Sequence, residues 1–272
     1  MPSTTTRFTN ADLSNGVRED TPSFASGDRV ILATSQDVTL ASSNGNIVVN
    51  GANEARAFGW AASEDGTFIS GNGDDSLSFS NLTTGSVTAD GRKGDDDITG
   101  GGGDDTLSGG AGNDDLRGGA GEDTLKGGGG ADELRGGSGS DTLVGGGGND
   151  EMWGNGGTDS FTVTSKAGQT DTIYDFNATT ETIKVVGDSK VVESVEEFSF
   201  GGTTGTRVIF DNGFKLDLVN VTEARYDLAV TEGRINVEDG SGVDPVDPVD
   251  PDPEPNTDLG GINGDFFSLL YG

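Results

Sequence analysis

A nine-residue period runs without a gap through eight units over residues 91–162, and it restricts the possible folds more than anything else in the chain. Gly100 Gly101 Gly102 Gly103 Asp104 Asp105 Thr106 Leu107 Ser108 aligns with Gly109 Gly110 Ala111 Gly112 Asn113 Asp114 Asp115 Leu116 Arg117. The sixth positions are Asp96, Asp105, Asp114, Asp123, Asp132, Asp141, Asp150 and Asp159, and the eighth are Ile98, Leu107, Leu116, Leu125, Leu134, Leu143, Met152 and Phe161. An isolated further copy begins at Ser70, with Asp75 and Leu77 in the same two roles. The period therefore predicts a fold built from repeats rather than a single close-packed core.

Composition without the period would read as disorder. Only 31% of the 272 residues are hydrophobic, 48 are glycine, and Asp plus Glu outnumber Lys plus Arg by 47 to 16. The net charge of −31 argues against nucleic acid or anionic lipid as partners, since both would be repelled and no basic patch interrupts the acid. The regular spacing of the carboxylates favours cations instead. Cysteine and histidine are both absent, which removes disulfides, thiolate metal sites, histidine-dependent triads and the HExxH zinc proteases. The first twelve residues are polar, predicting no cleaved N-terminal signal, and no run reaches the length of a membrane span.

The repeat has the pattern GGxGxDxUx and resembles the RTX family of calcium-binding secreted proteins. Arg92 and Lys93 in the first unit and Asn155 in the last depart from it. The resemblance implies a parallel β-roll in which two units make one coil, with calcium held between the turn of one unit and the turn two units later. Eight units then give four coils and two inward ladders of Leu, Ile, Met and Phe. The segment 79–90 is twelve residues long and is predicted to form a half-coil with a three-residue insertion, stacking Asp75 over Asp96.

Residue chemistry agrees with that implication. The first six positions should turn through glycines at positive φ, letting carbonyl oxygens converge, while the sixth-position Asp adds charge. Oxygen-only ligands, mostly carbonyl, suit Ca2+ better than magnesium or zinc. The metal ligands predicted are Asp75, Asp96, Asp105, Asp114, Asp123, Asp132, Asp141, Asp150 and Asp159. The last three positions should form a short strand with the eighth side chain inward. One buried leucine per nine ordered residues does not offset the chain entropy, and facing carboxylates oppose folding further, so the roll is predicted to need calcium.

The expected class is all-β: an N-terminal β-rich region over 1–69, the roll over 70–162, a β cap over 163–237, an Asp/Pro-rich linker over 238–258 and an apolar tail over 259–272. In the first region the runs 29–32, 38–40 and 46–49 read as strands of either a solenoid extension or a small β-sandwich. Asp171 Thr172 Ile173 Tyr174 Asp175 Phe176 is similar to the segment that closes RTX rolls. Strand-like runs follow at 183–186, 198–200, 207–210, 214–218 and 226–230, and Phe161, Phe176, Phe198 and Phe200 read as cap core. The linker run VDPVDPVDPDPEP holds five of the seven prolines and predicts an extended spacer before the tail Asp265 Phe266 Phe267 Ser268 Leu269 Leu270 Tyr271 Gly272.

The function expected is that of a secreted, non-enzymatic calcium-binding protein of a surface layer, filament or matrix. The tail is expected to serve as an uncleaved type I secretion signal and to join copies into a homo-oligomer or polymer. The other classes weighed are a repeat module of a polysaccharide-modifying enzyme, for which carboxylate pairs such as Asp104 and Asp105 would have to act, and a calcium-dependent adhesin.

Overall fold

The computed structural model describes residues 66–237 except 71, 81, 189, 190 and 201, together with the backbone of five strands between 5 and 60. Among the described residues two sheets of eleven strands each face one another, parallel throughout except at the C-terminal end of one, and the chain passes from one to the other at every half-coil through the array. Strands Asp97–Gly102, Asp115–Ala120, Glu133–Ser138 and Glu151–Gly156 lie in one sheet. Thr106–Ala111, Thr124–Gly129, Thr142–Gly147 and Ser160–Ser165 lie in the other.

Each of these strands is six residues long, not three. It takes positions seven to nine of one unit and continues through positions one to three of the next, so the glycines belong to the strand as well as to the turn. Alternation decides the rest. In Asp97–Gly102 the side chain of Ile98 and the Cα of Gly100 face inward, while Asp97 and Thr99 face outward. Positive φ falls on the second and fourth positions of most units, as at Gly110 (115°) and Gly112 (144°).

Parallel register at an offset of two units stacks identical side chains. Leu77, Ile98, Leu116, Leu134, Met152, Ile173 and Leu218 form one inward ladder. Phe68, Ala89, Leu107, Leu125, Leu143, Phe161, Ile183 and Ile235 form the other. All are at most 5% exposed, and together they are the centre of the core.

The half-coil at 79–90 is present. Its strand Val87–Lys93 pairs with Gly66–Ile69 on one side and Thr106–Ala111 on the other, and the insertion turns inward to bury Phe79 and Leu82. Phe79 packs on Phe68 with ring centroids 4.4 Å apart. The solenoid also extends upstream: Asp28–Ala33 pairs in parallel with Gly45–Val49, and Val38–Leu40 with Arg56–Trp60. Of the two architectures open for 1–69, the strand pairing is that of the solenoid extension. The sheets run through 69/70 and through 162/163 without a break.

At the far end Thr170–Ile173 adds Lys215–Val219 in parallel, after which Thr203–Phe210 and Val192–Phe200 continue the sheet antiparallel. Phe161 and Phe176 are buried and meet edge-on at 6.3 Å. Phe198 is half-buried beneath the Arg207 guanidinium, and the side chain of Phe200 lies outside the described residues. One expectation fails: 226–230 is not a strand but part of a helix, Glu223–Thr231. Tyr-x-Leu-x-Val alternates as a strand would, yet the residues buried are Tyr226 and Ala229, spaced by three. Gly233, at φ 68°, lets its own N–H reach Val230 O and the N–H of Arg234 reach Ala229 O, which closes the helix in a Schellman motif.

Arg92 stands at a second position with φ 73°, where most units place glycine. A left-handed residue with a Cβ costs about 1–2 kcal/mol, partly offset by the extra unfolded-state freedom of glycine. Arg92→Gly is therefore expected to stabilise the calcium-loaded chain by about 0.5–1 kcal/mol, read as a higher urea midpoint.

Candidate metal centre

Strand register places the sixth-position aspartates in two buried rows, one beside each sheet. In the first, the N–H of Asp75 donates to Asp96 Oδ1 at 2.7 Å, that of Asp96 to Asp114 at 2.8 Å, that of Asp114 to Asp132 at 2.9 Å, and that of Asp132 to Asp150 at 3.1 Å. In the second, Asp105, Asp123, Asp141 and Asp159 repeat the pattern, with Val87 N–H donating to Asp105 Oδ1 at 2.7 Å. All nine sequence-predicted residues are brought into these rows, each at most 3% exposed.

One oxygen of each array carboxylate is thus occupied. The Oδ2 atoms of Asp96, Asp105, Asp114, Asp123, Asp132, Asp141, Asp150 and Asp159 are buried and have no hydrogen-bond partner. First-position glycines explain how they fit. A Cβ on Gly100 would lie 2.2 Å from Asp105 Oδ2 and 2.5 Å from the Gly118 carbonyl oxygen, and one on Gly118 would lie 2.3 Å from Asp123 Oδ2 and 2.6 Å from Gly136 O. The missing side chain leaves room for the carboxylate to fold back beside a carbonyl of the next coil. Sequence reading assigned these glycines to positive φ, whereas their backbone is ordinary and the requirement is steric.

Burial dominates the electrostatics. It holds Asp96 at about 7 and Asp105, Asp114, Asp123, Asp132, Asp141 and Asp150 at about 6, against an ordinary 3.8, although a backbone N–H on each pulls the other way. Neighbouring carboxylates in the same row add to the rise, as Asp114 does for Asp96. Asp159 is also raised, mainly by burial. Ionised, the rows are buried anions facing unpartnered oxygens, which is a donor set short of a cation. Among the described residues no group of three or more acidic side chains is placed to hold a metal ion by itself, so an ion held here would take carbonyl oxygens with few carboxylates, as a hard, flexibly coordinated cation does.

Fifth-position side chains work in the opposite direction along the roll. Asp95 Oδ1 accepts the N–H of Asn113 in the next coil at 2.7 Å, and Asp104 Oδ1 that of Glu122 at 2.8 Å. The turns carrying Asp95, Asp104 and Asn113 are thereby clipped forward by the fifth residue and backward by the sixth.

Two acids that sequence reading passed over stand in the same register. Thr172 pairs with Glu151 and Thr182 with Ser160, so the residues just before them, Asp171 and Glu181, stack beyond Asp150 and Asp159. Their signal was Asp-Thr-Ile at 171–173 and Glu-Thr-Ile at 181–183, an acid two residues before an inward apolar side chain, as in every unit. Asp175 has another task. Its two oxygens accept Gly154 N–H at 3.0 Å and Asn155 N–H at 2.8 Å, closing the last repeat turn.

The outer face offers no open stacking platform at its aromatic pair. Trp153 lies parallel to Tyr174 at 4.2 Å on one side and under the Arg135 guanidinium at 4.5 Å on the other. Arg135 and Arg117 also contact Glu133 and Asp115, so this strip neutralises itself.

Residues 90–125 and 126–161 match the RTX calcium-binding nonapeptide repeat, described in blocks of four copies. The array is therefore an RTX calcium-binding repeat array, folded as a parallel β-roll within a longer solenoid. The match spans the array alone. Similar solved structures include the AlgE6R3 subunit of the Azotobacter vinelandii mannuronan C5-epimerase, at 22% identity over 59% of this chain and 89% of that one, TM-score 0.25. Another is the extracellular lipase LipA of Serratia marcescens, at 14% identity over 76% of this chain, TM-score 0.27; the alignment spans 44% of the lipase. No curated protein matches significantly. No helix among the described residues is long and apolar enough to cross a membrane.

Proposed function

We propose that the chain is a secreted, calcium-folded structural component of an extracellular surface or matrix, with Asp75, Asp96, Asp105, Asp114, Asp123, Asp132, Asp141, Asp150 and Asp159 as its carboxylate ligands. The observation that carries this reading is the pair of uninterrupted buried rows in which each carboxylate from Asp96 to Asp159 keeps a buried Oδ2 without a partner. Bound calcium would supply the positive charge that lets both rows stay ionised inside the roll. The protein's own part is to hold carboxylate and carbonyl oxygens at a repeat of two units, so that each ion ties one coil to the next.

The non-enzymatic reading has support of its own. Every described strand from 5 to 237 lies in the two solenoid sheets, and the pair Asp104 and Asp105, the candidate for acid–base chemistry, is engaged with backbone N–H groups of two other coils. A chain that folds on calcium passes an export channel unfolded and folds where calcium is millimolar. In this reading 259–272 carries the type I signal and 238–258 the spacer that lets the tail reach a neighbouring copy; both lie outside the described residues. Electron microscopy of calcium-loaded protein should show polymers for the full chain and monomers when 256–272 is deleted. Monomers from both, or polymers from both, would remove the tail from the account, and calcium-dependent turnover of a polysaccharide would remove the non-enzymatic reading.

A further inference from the structure

We infer that the calcium rows do not stop with the repeats: Asp171 and Glu181 each continue one row into the cap, making two further cation sites that fasten the cap to the roll. This rests on the calcium reading of the array and extends it to residues outside the repeat pattern.

Position comes first. Asp150 N–H donates to Asp171 Oδ1 at 3.1 Å, the same contact and length as Asp132 N–H to Asp150 Oδ1, although 21 residues now separate the pair where the array has 18. Asp171 is 1% exposed, and its Oδ2 is unpartnered like those of the array. Beside the other sheet, Glu181 is 4% exposed and gives Oε2 to the N–H of Asn177 at 2.8 Å. Its carboxylate also lies within hydrogen-bonding reach of Asp159, whose buried Oδ2 has no donor. Two acids in contact with no base beside them need either a proton or a cation between them.

The same register shows where the rows end. Asp171 pairs with Leu216 on its far side, and beyond Glu181 the position next to Arg234 is Gly233, so neither row has a further acid. Upstream, Asp75 pairs with Arg56 and Asp105 stacks on Val87. Acids thus fill the register continuously between a basic or apolar residue at one end and an apolar residue or glycine at the other. A structural accident at the cap would not be expected to hold the register in both rows at once.

The test compares Asp171→Asn, Glu181→Gln and Asp132→Asn with the unaltered full chain. Bound calcium is counted by native mass spectrometry, and thermal midpoints are taken in millimolar calcium at pH 7.5 and in EDTA at pH 4, where protonation is expected to let the calcium-free chain fold. Each cap variant should bind one calcium fewer while keeping the array's ions, and should melt lower than the unaltered chain in calcium but not in EDTA. An amide keeps the hydrogen bond and removes the charge, so acids that serve only as proton-bearing acceptors would give an unchanged count and an equal or higher midpoint in both conditions. That result overturns the inference. A cap variant that fails to fold in calcium, while the unaltered chain folds, counts with the first outcome. Loss of calcium in Asp132→Asn alone would sink this inference and leave the array reading intact; no loss in any variant would sink both.

Discussion

In EDTA the array is expected to gain strand structure on acidification, from little at pH 7.5 to substantial near pH 4, reversing the usual behaviour of an acid-rich protein. The buried row carboxyls bind protons more tightly folded than unfolded, because burial holds most of them at about 6 and Asp96 at about 7 against 3.8 in the open chain. A raised folded value means that stability from protonation is complete below about 4 and is lost as pH rises through 6 to 7. Holding one carboxyl at about 6 disfavours its ionised form by about 3 kcal/mol, and seven such groups exceed the whole stability of an ordinary domain even after heavy discounting for their coupling. If calcium takes the proposed oxygens, protons compete with it for them, and the calcium midpoint should rise as pH falls from 7.5 to 6. Circular dichroism across pH, with and without calcium, measures both. An EDTA sample with no gain in strand signal between pH 7.5 and 4 would count against the electrostatic account.

Two alanine substitutions two residues apart should differ by several kcal/mol. Gly127 is a buried first-position glycine, and a Cβ there would sit 2.3 Å from Asp132 Oδ2 and 2.6 Å from the Gly145 carbonyl. The carboxylate would have to leave its place and the next coil would have to shift, which puts the cost of Gly127→Ala at about 3 kcal/mol or more, in the range for overpacking against backbone. Gly129 occupies a third position, where nothing lies within 4 Å of an added Cβ and where other units carry Ala111, Ala120 and Ser138. Gly129→Ala should stay within about 0.5 kcal/mol of the unaltered chain. Urea midpoints in saturating calcium compare the two, and Gly127→Ala should also need markedly more calcium to fold. Equal effects would mean that first-position glycines are there for conformation alone.

What could be read from sequence was whatever the period repeats: the coil of two units, the two inward ladders that divide the residues from Ile98 to Phe161 between them, and the stacking of Asp75 on Asp96 despite the insertion. Two kinds of information were out of reach. The steric role of Gly100 and its equivalents depends on where the carboxylate five residues later folds back, and no local pattern records that. Asp171 and Glu181 sit in segments whose spacing has drifted to 21 and 22 residues, so the period no longer points at them even though the register does. Ambiguity of period explains the remaining error. In 226–230 alternation and helical spacing compete over five residues, and burial of Tyr226 with Ala229 decides for the helix. Upstream of 66 the strands carry no repeat, and only their pairing distinguishes a solenoid from a sandwich.

On the calcium reading, the buried carboxylate rows forbid the folded roll at neutral pH until calcium neutralises them. Hydrogen exchange of the full chain at pH 7.5 separates peptides of the array from those of the cap and the upstream coils. The amides that link successive coils, such as those of Asp115, Thr124, Glu133 and Thr142, are bonded to carbonyls of the preceding coil in the folded roll. They should exchange at unfolded rates in EDTA and become protected together, over a narrow range of calcium, as the metal is added. Protection of the same amides in EDTA, at the level seen with calcium, would contradict the claim.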